Sequence, residues 1–128
     1  MLVIGSGNAV HNLRRVDWAQ PEAGFEWARR FDDAARDLMG TAPGDAVRLR
    51  DHTDFGVAVP TPDHFIPLLY IAGLATAAGR PADVLVDGYA MGSLSMTAYS
   101  VDMQADTAPD QTDGAPPLPH LPADETTV

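Results

Sequence analysis

Four histidines, His11, His52, His64 and His120, are the side chains best suited to hold a metal ion or move a proton. The chain contains no cysteine, which excludes disulfides and thiolate metal sites. No two of the histidines stand three or four residues apart, so none of the local helical zinc patterns is present. By spacing alone each suits a structural or exposed histidine as well as a ligand. His120 drops out, because it sits among prolines and acidic residues near the end of the chain.

His64 precedes an apolar run, and Asp63 or Thr61 would cap a helix starting beside it. The imidazole would then lie near the positive end of a helix dipole. That field disfavours the imidazolium and favours the neutral ring, which is the form a metal ligand needs. The same residues also suit a histidine that merely packs at a helix start. His11 follows Leu2-Val3-Ile4, read as a short buried strand, and the turn Gly5-Ser6-Gly7-Asn8. Ligands bind at the C-terminal ends of strands in layered α/β sheets, which leans His11 towards function. Gly5 and Gly7 also match two positions of a dinucleotide-binding fingerprint. The third position is Val10, and no second strand ending in an acidic residue follows about 20 residues later, so that reading fails.

The elements that must position these residues follow from periodicity. Pro21 and Glu22 suit a helix start and Gly40 its C-terminal cap. Between them Trp27, Phe31, Ala34 and Leu38 form an apolar stripe, with Glu26–Arg30 and Asp32–Arg36 as i,i+4 pairs on the wet side. Residues 46–50 read as a short helical turn. A second helix is expected over about residues 65–78, with Pro67 in its first turn and Gly79 closing it. This helix is apolar on every face, so it calls for covering surface on all sides, more than a domain of about 100 residues has to spare. Val84-Leu85-Val86 reads as a strand, and residues 93–101 alternate with the period of two expected of another. The order strand, helix, helix, strand, strand implies an α/β domain, a layered sheet with flanking helices.

Composition narrows the partners. The 128 residues leave room for one domain. From Asp102 to Val128 there are six acidic residues, five prolines, no Lys or Arg and no Phe, Trp or Tyr, so 102–128 is read as an acidic, proline-rich disordered tail. Residues 1–101 carry twelve acidic residues against eight arginines, which argues against nucleic-acid and anionic-membrane partners. No signal peptide is evident at the start, and the longest apolar run is short of the roughly 20 residues that span a bilayer, so the expected location is cytoplasmic.

Three stretches in order carry a family resemblance. Gly5-Ser6-Gly7-Asn8-Ala9-Val10-His11-Asn12-Leu13, Pro60-Thr61-Pro62-Asp63-His64-Phe65-Ile66-Pro67-Leu68-Leu69 and Met91-Gly92-Ser93-Leu94-Ser95-Met96 resemble segments of the class III (LigB-type) extradiol ring-cleavage dioxygenases, in the 4,5-DOPA dioxygenase branch. The resemblance covers residues 1–101 and corresponds to the C-terminal half of such a catalytic domain. It implies a mononuclear non-haem metal site, at which a catechol such as DOPA chelates Fe(II), O2 takes an adjacent position and the ring opens beside the diol. Zinc is another occupant described for this branch; it has no redox chemistry, so ferrous iron is favoured for the reaction. Carried over by position, His64 is a metal ligand and His11 a ligand or a proton shuttle, while His52 lines the substrate pocket. The family's other ligand histidines belong to the half that this chain does not match. The implied partners are therefore a catechol, O2 and the missing N-terminal half. The alternative implied by the same fold is a non-catalytic, protein-binding relative.

Overall fold

A computed structural model describes residues 1–102. The stretch read as a tail lies outside the described residues, apart from Asp102.

The first long helix, α1 (Glu26–Thr41), starts later than Pro21 suggests. The backbone groups of residues 21–25 are committed elsewhere. Met91 N–H donates to Pro21 O at 3.2 Å, Gly92 N–H to Ala23 O at 2.7 Å and Phe25 N–H to Gly92 O at 2.7 Å. Gly40 is not the cap either. The helix runs on to Thr41, and the break comes at Ala42 (φ −147°), the residue before Pro43. The proline ring disfavours helical backbone at the residue preceding it. Pro43 then opens a 3-10 helix, Pro43–Asp51, longer than the short turn expected there. A single turn, α2 (Phe55–Ala58), leads to α3 (Ile66–Ala78). Gly79 closes α3 at φ 67°, and its N–H and that of Arg80 satisfy the last carbonyls at 3.0 and 3.1 Å.

The α/β class is as expected, with its sheet in two short antiparallel pairs. Strand β1 (Asp83–Val86) pairs with β4 (Ala98–Ser100), and β2 (Tyr89–Ala90) pairs with β3 (Leu94–Ser95). The alternating segment 93–101 is therefore two strands. It changes partner after Met96, whose N–H donates to Gly88 O at 2.9 Å, so one continuous ladder cannot form. Leu2-Val3-Ile4 is not a buried strand. Residues 1–8 have no regular structure, Leu2 and Ile4 are exposed, and no strand among the described residues pairs with them. Apolar content alone does not make a strand; the backbone groups need a partner.

The core gathers Val10, Phe31, Met39, Leu49, Phe65 and Leu68. Phe31 sits at its centre, with aromatic neighbours Phe55 and Phe65 at centroid separations of 6.0 and 6.2 Å. Helix α1 turns Ala28, Phe31, Asp32, Ala35 and Met39 inward, while Trp27, Ala34 and Leu38 are only half-buried. Glu26–Arg30 is an exposed pair at 3.1 Å, as its spacing suggests. Asp32–Arg36 also forms, at 3.1 Å, but its carboxylate is fully buried and not on the wet side. Helix α3 buries Leu68, Ala72 and Ala75 and leaves Ile66, Tyr70 and Leu74 exposed. Among the described residues, no helix is long and apolar enough to cross a membrane.

Candidate functional site

His11 is held by backbone on two sides. Its N–H donates to Ala58 O at 2.9 Å, and it forms an antiparallel bridge with Leu94. The residues around it tie the Gly-rich segment to β3. Ser95 N–H donates to Val10 O at 3.0 Å and Asn12 N–H to Ser93 O at 3.2 Å. Ser93 Oγ donates to Asn12 O at 2.8 Å, and Asn8 Nδ2 donates to Ser95 O at 2.7 Å. Buried Asn12 spends its own amide on Val57 O at 2.7 Å and accepts from Arg14 N–H at 3.1 Å. The asparagines of this motif are thus structural fasteners for the histidine between them.

His64 arrives from the turn before α3. Its expected cap is absent: Phe65 is the N-cap residue, and neither Asp63 nor Thr61 bonds the helix start. The turn closes through backbone instead, Phe65 N–H and Ile66 N–H both donating to Pro62 O at 2.9 Å. His64 still stands just ahead of the N-terminus of α3.

The two histidines meet although 52 residues lie between them in the chain. Their rings stack at a centroid distance of 3.6 Å and an interplanar angle of 15°. Burial, followed by the nearby His64, lowers the pKa of His11 from its ordinary 6.5, and a backbone hydrogen bond partly opposes both. His11 is therefore neutral at pH 7 and keeps one nitrogen lone pair free to bind a metal or take a proton. In the unfolded chain the same ring takes its proton first. The stability that this neutral ring contributes is present above pH 6.5 and is lost as pH falls through the lowered folded value. Replacing His64 with Gln should raise the His11 pKa only partway to 6.5, since burial remains, and an NMR titration of the His11 ring reads the change.

Close approach of the glycine turn brings the histidines together. A Cβ on Gly7 would collide with the His64 carbonyl oxygen and lie 3.0 Å from its carbonyl carbon. Both atoms are backbone and cannot swing aside. Gly7→Ala is expected to cost about 1–3 kcal/mol by overpacking and to separate the rings, seen as a lower melting temperature and a lost NOE between the two imidazoles.

A groove of about 650 Å³ runs past His64 and is lined by Leu2, Ile4, Pro67, Ile71, Leu85 and Tyr99, among others. That volume is in the range that holds a small organic ligand. His52 does not line it. Its Nδ1 accepts from Asp54 N–H at 3.1 Å, its ring stands edge-on to Phe31 at 5.4 Å, and it borders a separate shallow hollow with Asp37 and Arg48. In this structure His52 closes a turn and lies away from the groove beside His64. Asp54 itself forms a two-point ion pair with Arg30, at 2.9 and 3.0 Å, which lowers its carboxyl pKa.

As a metal centre the donor set is partial. The stacked imidazoles offer two nitrogen donors of suitable chemistry, and no group of three or more His, Cys, Asp or Glu that could hold a metal gathers among the described residues.

Comparison with known proteins bears on this arrangement. The chain is 35% identical over 105 residues to a protein of Escherichia coli (strain K12) named 4,5-DOPA dioxygenase extradiol, a match covering 79% of this chain and 38% of that protein. This chain is similar to an extradiol dioxygenase. It also superposes on the crystal structure of an uncharacterized protein from Escherichia coli K12 with a TM-score of 0.61 and 36% identity, covering 72% of this chain and 39% of the other. It therefore spans less than two fifths of the curated relative that it matches. No family model matches the chain.

Sequence reasoning missed the group behind β3. Asp32 accepts from the hydroxyls of Ser95, of Thr97 at 2.8 Å and of Tyr89 at 3.2 Å, and from Arg36 Nε at 3.1 Å. Arg36 extends the network to Asp87. The available signal was polar alternation: Ser93, Ser95 and Thr97 are buried while Leu94 and Met96 between them are not, and a buried polar face needs a polar partner.

Proposed function

We propose that this chain supplies part of the active site of a class III extradiol dioxygenase that opens a catechol ring, with a DOPA-like substrate. The observation that carries the reading is the His11–His64 stack, together with similarity to a protein named for that activity. His64 serves as a metal ligand, and His11 as a second ligand or as the base that takes a catechol proton. Ferrous iron is the metal that fits the reaction, and zinc a further occupant. Bound there, ferrous iron would supply the redox chemistry that couples a catechol to O2. The chain's own part is to present two imidazoles side by side, to hold His11 on bridged backbone, and to offer an apolar groove beside His64 for an aromatic ring.

The rest of the site would come from polypeptide equivalent to the part of the relative that this chain does not span. The exposed faces suit that partner. Ile66, Tyr70 and Leu74 on α3, Val84, Leu85 and Val86 on β1, and Leu2 and Ile4 expose apolar surface of a kind that folded domains cover. The donor count of two favours one other reading, a non-catalytic binding relative of the same fold. The two are separated by assembling the chain with the complementary polypeptide, loading Fe(II) without air, and adding DOPA and O2. Oxygen uptake matched by a yellow ring-opened product supports the enzyme, whereas assembly without oxygen uptake supports the binder.

A further inference from the structure

We infer that Asp32 is a positioning residue for the histidine pair, fixing the register of the strand on which His11 rests. Strand β3 has two residues, and its backbone ladder with the histidine segment is one bridge, His11 to Leu94, supplemented by the side-chain bonds of Asn8 and Ser93. So short a ladder specifies register weakly, yet a slip of one residue would turn every side chain to the opposite face. Asp32 reads that face from the other side. Its carboxylate receives the hydroxyls of Ser95 and Thr97, two positions apart and both buried. A one-residue slip would present Leu94 and Met96 to a fully buried carboxylate, leaving its charge without those partners.

Ser95 transmits the constraint directly. Its hydroxyl is held by Asp32, its N–H by Val10 O at 3.0 Å, and its carbonyl by Asn8 Nδ2 at 2.7 Å. Two of these bonds reach the segment from Asn8 to Val10, just before His11, and the third ties the same residue to Asp32. A buried ionic group is a poor choice for stability alone, and fixing register is its best-attested use. The role concerns geometry and holds whether or not a metal is bound, so its test is independent of the proposed reaction.

The test uses the full chain, metal-free, at one fixed pH for all variants, and follows the NOE between the His11 and His64 imidazoles and their ring-current-shifted protons. Ser95→Ala should keep a dispersed, folded spectrum while the inter-ring NOE disappears and the ring protons move towards free-histidine positions. Ser95→Thr, which keeps the hydroxyl, should restore both. Asp54→Asn breaks a different carboxylate pair and should lower stability without moving the ring signals. If Ser95→Ala does not fold, Thr97→Val removes the second hydroxyl at nearly constant shape and is read in the same way. A folded Ser95→Ala or Thr97→Val chain with the NOE and shifts of the wild type would show that Asp32 only stabilises, and would overturn the inference.

Discussion

Asp32→Ala is expected to destabilise the chain by about 3–5 kcal/mol, the usual cost of removing one member of a buried charged network. Three hydroxyls and the Arg36 guanidinium lose their common acceptor, and Ser95 and Thr97 are too buried to find water instead. Asp87 still neutralises the exposed side of Arg36, which keeps the loss from being larger. Domains of this size have only about 5–15 kcal/mol in total, so the melting temperature should fall by roughly 12–40 °C at 4–8 °C per kcal/mol. Thermal and urea denaturation of wild type and variant measure it. A loss under about 1 kcal/mol, the range of an ordinary single hydrogen bond, would mean that the network is not holding α1 to the strands.

Tyr89 gives the same network a second readout. Burial, and then the negative charge and hydrogen bond of Asp32, push its hydroxyl up to about 12. Without Asp32 that value should fall back towards the ordinary 10, though not reach it while the ring stays buried.

Much of the site was legible in the sequence because its signals are local. Gly7 is needed where backbone touches backbone, Gly79 ends its helix in the left-handed region, and Pro67 occupies the first turn of α3. The distance between the histidines was legible only through the family resemblance, since no spacing rule joins residues so far apart. The misplaced elements share a physical cause: each depended on where a remote backbone group went. Residues 21–25 bond to Met91 and Gly92 and so cannot start a helix, and residues 2–4 find no ladder partner among the described residues. The i,i+4 spacing of Asp32 and Arg36 points to solvent, because such charge pairs usually lie there. Only the tertiary arrangement reveals that three hydroxyls, from β2, β3 and the link between β3 and β4, replace its water.

The other large effect concerns activity. Positioned ligands and bases contribute through geometry, and a misplacement of about 1 Å costs on the order of 100-fold. Removing a ligand altogether should cost at least that. The chain by itself, with two histidine donors, should therefore show no useful turnover, and the assembly with its complementary polypeptide should turn over and depend on both histidines. The decisive measurement is the rate of DOPA ring opening by the iron-loaded assembly, with wild-type chain and with His64→Ala or His11→Ala. The account predicts a loss of about 100-fold or more for His64→Ala, together with loss of bound iron. For His11→Ala it predicts a comparable fall in rate, with iron lost if His11 is a ligand and retained if it is the base. Wild-type rates in the His64→Ala assembly, or turnover of about 1 per second by the isolated chain, would contradict it.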